Sequence, residues 1–340
     1  MNIQQAISQL VEGHDLSQDE MQAVILQIMT GECNDAQICG FLVGLHAKGE
    51  TIDEITAAAK VMSSLADKVS VGAPNVIDIV GTGGDGISTF NISTAAAFVA
   101  AGAGATVAKH GNRSVSSKSG AADLLEQAGA NLNLGAAAVS QVIQQVGIGF
   151  MFAPMHHSAM RHAVSARKEL AIRTIFNILG PLTNPAGVKR QVLGVFHEDL
   201  TDLLAGVLAQ MGSEHSLVVH SDDGMDEISI CAPTKISEMR SGKVTTYKIS
   251  PQDFGVKLAN ISDIVVAGPA ESLLLIEQVL EGKSGAARDI VLLNAGAGLY
   301  VSGLANSLAD GFEMAKNSID SGKARASKTA YIKATQTVAG

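Results

Sequence analysis

The sequence lacks several features that would point to particular classes of protein. Tryptophan is absent, aromatic residues make up 4% of the chain, and there are three cysteines among 340 residues. An odd number of cysteines argues against a disulfide framework, and the spacing of Cys33, Cys39 and Cys231 does not match that of a zinc motif. The interior must therefore consist mainly of aliphatic side chains.

An excess of basic residues is also missing. Lysine and arginine number 24 against 33 acidic residues, for a formal net charge of −9. There is no basic stripe of the kind that binds nucleic acid. Any anionic ligand must therefore be bound locally, by backbone amides, a few basic side chains or metal ions.

Long apolar runs are missing too. The N-terminus has no basic start followed by an apolar segment. The longest apolar stretch, residues 94–108, is rich in alanine and glycine and too short to cross a bilayer. We therefore expect no membrane association and a cytoplasmic location.

What the chain does contain is apolar material and glycine. Hydrophobic residues make up 46% and charged residues 17%, and there are 35 glycines. This balance supplies a core and allows many tight turns and close backbone approaches. A length of 340 residues suggests two domains.

The N-terminal part of the chain has the pattern of short amphipathic helices. Their apolar faces must pack on each other, on the rest of the chain or on a second subunit. The pattern changes after Gly72-Ala73-Pro74, so we predict a small helical domain over residues 1–72 and a larger domain over 73–340. Three pairs have the spacing of a capping box: Ser17 with Glu20, Asn34 with Gln37, and Thr51 with Glu54.

Beyond residue 72, predicted strands alternate with predicted helices. Such alternation is typical of crossover units and predicts an α/β domain with a mostly parallel central sheet. The predicted strands are 76–80, 105–109, 191–196, 217–220, 227–230 and 244–249, and the clearest helices are 94–101, 121–128 and 200–211.

A glycine-rich loop, Gly81-Thr-Gly-Gly-Asp85-Gly86, follows the first predicted strand and leads into a helix. Glycines allow a close backbone approach, and a helix N-terminus attracts anions. The loop matches G-x-G-x-x-G, but the acidic residue that a dinucleotide site needs about 20 positions later is missing. A Walker A lysine is missing as well. The loop indicates either a phosphate site or an ordinary capped turn.

A second loop is more specific. The run Lys109-His-Gly-Asn-Arg-Ser-Val-Ser-Ser117 and its continuation to Gly120 combine basic side chains, hydroxyls and glycines directly after a predicted strand. Lysine offers phosphate a point charge, and arginine offers it a two-pronged donor. A solvated linker can be equally polar but would not directly follow an apolar strand. The loop therefore predicts phosphate binding.

Adjacent carboxylates follow the predicted strand at 217–220, in Asp222-Asp223-Gly-Met-Asp226-Glu227. Taken alone, they indicate an exposed acidic turn. Beside two phosphate-type loops they favour a magnesium site, because Mg²⁺ takes a few carboxylates together with water and phosphate oxygens.

A fourth polar segment contains paired histidines and several arginines. His157 lies one helical turn before Arg161, but no further ligand follows at a helical interval, so we reject a zinc site. Arg167 would either hold a carboxylate bidentately or form a surface ion pair, and the sequence leaves both open.

Together these blocks resemble the anthranilate phosphoribosyltransferase family over essentially the whole chain and in the family's order. Ala121, Ser158 and Ala171 depart from the family's pattern but are not among its metal or acceptor residues. The matching motifs are Gly81-Thr-Gly-Gly-Asp85, Asn91-Ile-Ser93-Thr94, Lys109 to Ser117, Met160-Arg161-His162 with Arg167, Arg173-Thr-Ile-Phe-Asn177, Gly180-Pro181-Leu182 and Asp226-Glu227.

The resemblance implies a fold related to that of the nucleoside phosphorylases. A small helical domain would be hinged to a larger α/β domain, and residues 155–185 would return to the helical domain. The resemblance also implies a homodimer that associates through the helical domain, which would cover the apolar faces of the first helices.

The implied reaction, a step of tryptophan biosynthesis, joins anthranilate to 5-phosphoribosyl 1-diphosphate (PRPP) and releases diphosphate. Magnesium, expected as two ions, would be held by Ser93, Asp226 and Glu227. Anthranilate would contact Gly81, Asn112 and Arg167, with His110, His157 and Pro181 along its route and no residue assigned as catalytic. PRPP would be surrounded by Gly81, Gly84, Asp85, Thr89, Asn91, Ile92, Ser93, Thr94, Lys109, His110, Gly111, Asn112, Arg113, Ser114, Val115, Ser116 and Ser117.

Two other functions are compatible with parts of this pattern. A pyrimidine nucleoside phosphorylase would share the fold, but its second loop has a different signature. A non-catalytic relative that binds nucleic acid would not be expected to have a net charge of −9 or an intact Asp226-Glu227 pair.

Overall fold

The computed structural model describes residues 1–114 and 118–338, and in these ranges the chain forms fifteen α-helices and seven β-strands. The helices are α1 Ile3–Val11, α2 Gln18–Thr30, α3 Asp35–Lys48, α4 Ile52–Leu65, α5 Ile92–Gly102, α6 Ala121–Gln127, α7 Ala136–Val146, α8 Ala153–His156, α9 Arg161–Leu170, α10 Phe176–Leu182, α11 Leu200–Gln210, α12 Pro269–Leu280, α13 Ala286–Ser302, α14 Leu308–Asp320 and α15 Lys323–Thr337. The strands are β1 Ile77–Gly81, β2 Val107–Gly111, β3 Ile148–Phe152, β4 Arg190–Gly194, β5 His215–Ser221, β6 Thr234–Arg240 and β7 Lys243–Ile249.

The N-terminal helices begin where the sequence predicted. In each capping box the N-cap side chain accepts from the backbone amide three residues on, and the side chain there accepts from the N-cap amide. These bonds satisfy amides that the first turn leaves unpaired. The helices predicted at 94–101, 121–128 and 200–211 are also confirmed, as α5, α6 and α11.

A single seven-stranded sheet runs through the larger part of the chain in the order β3-β2-β1-β4-β5-β6-β7. The first five strands in this order are parallel, and β6 and β7 add antiparallel to β5. The predicted combination of N-terminal helices and an α/β part with a mostly parallel sheet is confirmed. Parallel strands place their carboxyl ends at one edge of the sheet, where ligands of such folds bind.

One predicted strand is wrong. Residues 227–230 are irregular, and the backbone groups of Ile228 and Ser229 bond to side chains instead of a neighbouring strand. Ile228 donates its amide to Asn294 Oδ1 at 3.0 Å and accepts from Asn294 Nδ2 at 2.9 Å, and Ser229 donates its amide to Thr234 Oγ1 at 3.1 Å. Two strands, β3 and β6, were not predicted.

The buried side chains form two clusters, one on each face of the sheet. On one face, the N-terminal helices share a cluster with Val80 and Leu193 of the sheet, Leu204 of α11 and Leu179 of α10. Helix α9 packs on α2 and α3, and α10 packs on α4. The N-terminal helices therefore rest on the sheet. The boundary at residue 72 and the assignment of residues 155–185 to the helical domain stay predictions.

Across both described ranges, no helix combines the length and the apolar character needed to pass through a bilayer.

Candidate active site

Three of the four polar segments singled out in the sequence meet at the carboxyl edge of the sheet. The first loop leaves β1 at Gly81, the second leaves β2 at Gly111, and the acidic segment follows β5. The amide of Gly83 donates to Asp226 Oδ2 at 2.8 Å, which joins the first loop to the acidic segment. Residues that are far apart in the chain thus form one polar site.

The first loop can turn back on itself because of its glycines. Gly83, Gly84 and Gly86 have φ values of 65°, 81° and 76°, in the left-handed region that favours glycine. Asp85 Oδ1 accepts from the amide of Ile87 at 3.1 Å. The N-cap of α5, Asn91, makes no side-chain cap, so the helix begins without the usual side-chain acceptor for its amides.

Lys109 lies at the centre of the site with its side chain buried. Its ammonium donates to Ser93 Oγ at 3.1 Å and to the carbonyl of Ile79. Burial lowers the pKa of Lys109, while the carboxylates of Asp78, Glu227 and Asp226 raise it. The structure therefore fixes a cation between the first loop and the acidic segment.

Asp85, Asp226 and Glu227 are half-buried and close together. Burial and the neighbouring Asp226 raise the pKa of Asp85 to about 7, and the same two causes raise the pKa of Glu227 well above its usual value. Within residues 1–114 and 118–338, no three His, Cys, Asp or Glu side chains form a complete metal cage. Mg²⁺ needs no such cage, and crowded carboxylates beside the Ser93 hydroxyl fit an ion that is completed by water and phosphate oxygens.

The second loop begins with the buried His110, followed by Gly111 and the exposed Asn112. Arg113 is already paired: its guanidinium lies 2.8 Å from Glu126 and 3.1 Å from Asp123. The amide of Ser114 donates to Asp123 Oδ2 at 2.9 Å. The predicted donor residues Val115, Ser116 and Ser117 lie outside the described residues.

Arg167 is half-buried on α9, with its guanidinium 5.5 Å from the centre of the Phe176 ring. Burial lowers the pKa of Arg167. In the described part of the chain, no carboxylate oxygen lies within 4.0 Å of its guanidinium; the ion pairs there are all formed by other residues. A surface ion pair is therefore not its role in the described structure, and its guanidinium can receive a ligand carboxylate.

The rings of His110 and His157 lie close together. The ring centres of His110 and His157 are 5.1 Å apart, and neither Nε2 atom has a hydrogen-bond partner among the described residues. Burial is the largest cause that lowers the pKa of His110 to about 3 and of His157 to about 4. Both rings are therefore neutral at pH 7 and leave nitrogen atoms free inside the protein.

Several of the residues predicted to line the site are buried or have their backbone bonded within the protein. Ile92 belongs to the core, and Thr94 and Pro181 are buried. Thr89 forms an isolated bridge with Val265. Only the backbone of Ile92 can face a ligand.

Sequence reasoning missed residues that shape the site from behind. Asp78, buried within β1, accepts from Asn184 Nδ2 at 2.7 Å and from the amide of His110 at 3.3 Å, and burial raises its pKa to about 6. Arg173 stacks on Phe196 at 4.1 Å and donates to the carbonyl of Gly84. An acidic residue inside an apolar strand was the available signal for Asp78. Arg173 belongs to one of the matching motifs, but the motif does not indicate these contacts.

Comparison with known proteins gives a consistent picture. Residues 73–325 match the glycosyl transferase family's a/b domain, and residues 4–66 match its helical bundle domain. The chain is 57% identical over 327 residues to an anthranilate phosphoribosyltransferase of Marinomonas sp. (strain MWYL1), covering 96% of this chain and 94% of the relative.

Solved structures agree. Anthranilate phosphoribosyltransferase from Thermus thermophilus matches with a TM-score of 0.93 and 39% identity, over 98% of this chain and 99% of that one. The Saccharomyces cerevisiae enzyme in complex with PRPP and Mg matches with a TM-score of 0.91 and 29% identity, over 99% of this chain and 98% of that one.

Proposed function

Because the chain belongs to the anthranilate phosphoribosyltransferase family, we propose that it transfers the 5-phosphoribosyl group of PRPP to the amino group of anthranilate. The products are N-(5-phosphoribosyl)anthranilate and diphosphate, in a step of tryptophan biosynthesis. The observation that carries the proposal is the meeting of the two glycine loops, Lys109 and the Asp226-Glu227 pair at one edge of the sheet.

The main chemical demand is on the leaving group. Displacement of diphosphate from the anomeric carbon passes through an oxocarbenium-like state, in which negative charge grows on the diphosphate. Lys109 is buried and held by Ser93 at 3.1 Å, so its ammonium is oriented before the reaction begins. Such preorganised charge is worth more than a mobile charge in water. In this proposal the donor is surrounded by the predicted residues of the first loop, from Gly81 to Thr94, and by the run Lys109 to Ser117.

Asp226, Glu227 and Ser93 are the residues that would hold magnesium, with two ions expected. When bound, Mg²⁺ neutralises charge on the diphosphate and orients it. The chain's own part is to keep the carboxylates in place. The Gly83 amide bonds Asp226 at 2.8 Å, and the Ser93 amide lowers the pKa of Glu227 against the effect of burial. The relative from Saccharomyces cerevisiae, solved in complex with PRPP and Mg, supports magnesium as the ion.

The proposed acceptor site combines residues of the two loops with residues of the fourth polar segment. Arg167 would hold the anthranilate carboxylate, with Asn112 and Gly81 nearby and His110, His157 and Pro181 along the route. The amine of anthranilate is neutral at pH 7, so positioning replaces base catalysis as the main contribution. The neutral, buried histidines are suited to lining an aromatic pocket and not to taking up a proton.

Oligomeric state and location are further parts of the proposal. Val11, Leu26 and Val43 of the N-terminal helices are exposed, which supports a homodimer through these helices. We place the enzyme in the cytoplasm, without nucleic-acid or membrane partners.

Product analysis tests the proposal against its nearest rival. Incubation with PRPP, Mg²⁺ and anthranilate is expected to release diphosphate and a phosphoribosylated anthranilate, identified by mass spectrometry. A parallel incubation with uridine or thymidine and inorganic phosphate is expected to release no base. Base release without anthranilate transfer would favour the pyrimidine nucleoside phosphorylase, and a mobility-shift assay with DNA and RNA tests the binding-only alternative.

A further inference from the structure

Asn91, at the end of the first loop, has both the nitrogen and the oxygen of its side-chain amide bonded to the protein. Its Nδ2 donates to the carbonyl of Ser119 at 3.0 Å, while Oδ1 accepts from Ser119 Oγ at 2.7 Å and from Ser272 Oγ at 2.8 Å. A carbonyl only accepts, so the nitrogen must face Ser119, and both lone pairs of Oδ1 are occupied. Asn91 therefore joins the first loop to the far end of the second.

Ser272 bonds to this residue twice. Its hydroxyl donates to Asn91 Oδ1 and accepts from the Asn91 amide at 3.0 Å. Ser272 lies in the first turns of α12 and is 0% exposed, so it cannot reach a ligand itself. Residues just before α12 also form backbone hydrogen bonds with the first loop. The amide of Phe90 donates to the carbonyl of Ile264, and the amide of Val266 donates to the carbonyl of Ser88, each at 2.9 Å.

We propose that Ser272 is a positioning residue for the phosphoribosyl donor. Through Asn91 it fixes the first loop relative to Ser119, and thus the spacing of the two loops that hold PRPP. Removing its hydroxyl leaves the Asn91 amide without a partner and Oδ1 with one partner fewer, so the two loops lose their common anchor. Arg167, which would hold the anthranilate carboxylate, forms no hydrogen bond with Asn91 or Ser272 in the described part of the chain. The inference rests on the proposed function.

The consequence is a selective loss of donor affinity, measured with Ser272→Ala in the full-length protein. We expect the dissociation constant of PRPP with Mg²⁺, from isothermal titration calorimetry, and the KM for PRPP to rise about tenfold, the effect of losing one or two hydrogen bonds. The KM for anthranilate is expected to stay within about twofold.

A second buried serine provides a matched control. Ser318, on α14, is 2% exposed, and its hydroxyl donates to the carbonyl of Val99 at 2.8 Å. Val99 lies on α5, the helix that has Asn91 as its N-cap. Ser318→Ala removes an equivalent bond from α5 away from the loops, so it reports the cost of general destabilisation. We expect its PRPP affinity to match that of the wild type.

A double-mutant cycle tests whether Ser272 acts through Asn91. Ser272→Ala should weaken PRPP binding in the wild-type background and weaken it less in Asn91→Ala, where only the bond from the backbone amide of residue 91 is left to lose. Equal PRPP affinities for Ser272→Ala and Ser318→Ala, or full additivity in the cycle, would overturn the proposal. If Ser272→Ala does not fold, Ser272→Cys, which has only a weak donor, is judged by the same criteria.

Failure of the proposed function would look different. Wild-type protein that binds PRPP but transfers nothing to anthranilate would contradict the function and leave the positioning role measurable by calorimetry. Wild-type protein that does not bind PRPP at all would overturn both.

Discussion

A side chain on Gly194 would collide with the backbone of Asp226: its Cβ would lie 1.6 Å from the Asp226 carbonyl oxygen. A Cβ on Gly81 would likewise lie 2.5 Å from Asp226 Oδ2. The last residues of β1 and β4 are thus glycines, and the absence of a Cβ at each allows the acidic segment to pack against the two strands. The proposed metal ligands owe their position to two missing side chains.

Gly194→Ala is therefore expected to displace the acidic segment. Mg²⁺-dependent activity should fall about 100-fold or more, because a shift of about 1 Å in a positioning group has that effect. Overpacking should cost about 1–3 kcal/mol in the free energy of unfolding. Gly135→Ala, where the added Cβ would meet no atom within 4 Å, is the control. Activity close to that of the wild type in Gly194→Ala would contradict this view of the site.

The carboxylates should matter more than the histidines. Asp226→Asn combined with Glu227→Gln removes the charge that holds Mg²⁺, and we expect kcat/KM to fall about 1,000-fold. His157→Gln removes a neutral ring and should cost about tenfold or less, as expected if no general base is needed. Steady-state kinetics at saturating Mg²⁺ makes the comparison. An equal collapse in both variants would show that the histidine has a chemical role.

Arg167→Lys should separate the two substrates. Lysine keeps the charge but loses the planar pair of donors, so the KM for anthranilate is expected to rise about tenfold or more. The KM for PRPP should change little. Arg325→Lys on α15, whose guanidinium pairs with the exposed Glu281, serves as the matched substitution. Equal effects of Arg167→Lys on both KM values would argue that Arg167 supports the fold and not the acceptor.

The buried histidines should each contribute to a loss of stability in acid. Their folded pKa values, about 3 for His110 and about 4 for His157, lie below the unfolded value of about 6.5. The unfolded chain therefore binds more protons below pH 6.5, and acidification favours unfolding. Between pH 7 and 5.5 each histidine should remove about 1 kcal/mol of stability. Asp78, Asp85 and Glu227, whose pKa values are raised in the folded protein, act in the opposite direction.

Urea unfolding of the wild type and of His157→Gln at pH 7.0, 6.0 and 5.5 measures this effect. The variant should lose less stability than the wild type over this interval. Parallel pH curves for the two proteins would show that His157 titrates normally in the folded state.

The core that the N-terminal helices share with the sheet limits how far the protein can close over its substrates. On α4, Ile52 lies 2.8 Å from the position of a Cβ on Gly206, and Asp53 accepts from Gln210 at 3.0 Å. We expect a limited rotation near residues 70–75 that brings the acceptor side onto the donor loops and excludes water. Small-angle scattering should show a smaller radius of gyration with Mg²⁺, diphosphate and anthranilate than without them. Identical scattering curves would contradict closure.

Local signals in the sequence predicted much of the fold. The capping boxes located the starts of α2, α3 and α4, because a cap is satisfied within its own turn. Strand β3 was missed although Ile148–Phe152 is apolar. Residues 227–230 were wrongly assigned to a strand, because the backbone amides of Ile228 and Ser229 bond to the side chains of Asn294 and Thr234. A hydrogen-bond partner that is distant in the sequence, or that is a side-chain atom, cannot be recognised from the alternation of residues in a strand.

The same distinction holds for the site. The loops and the Asp226-Glu227 pair are contiguous motifs and were recognised. The role of Ser272 depends on a contact with Asn91 across 181 positions, and that of Gly194 depends on its neighbour in space. Neither residue type is unusual at its position in the sequence, so only the folded structure reveals what it does.

Anthranilate transfer is tested most directly by the fluorescence of anthranilate in the presence of the purified protein, PRPP and Mg²⁺. We predict that the fluorescence falls with time, that EDTA stops the change, and that omission of PRPP abolishes it. Stable fluorescence with folded protein that binds PRPP would contradict anthranilate as the acceptor.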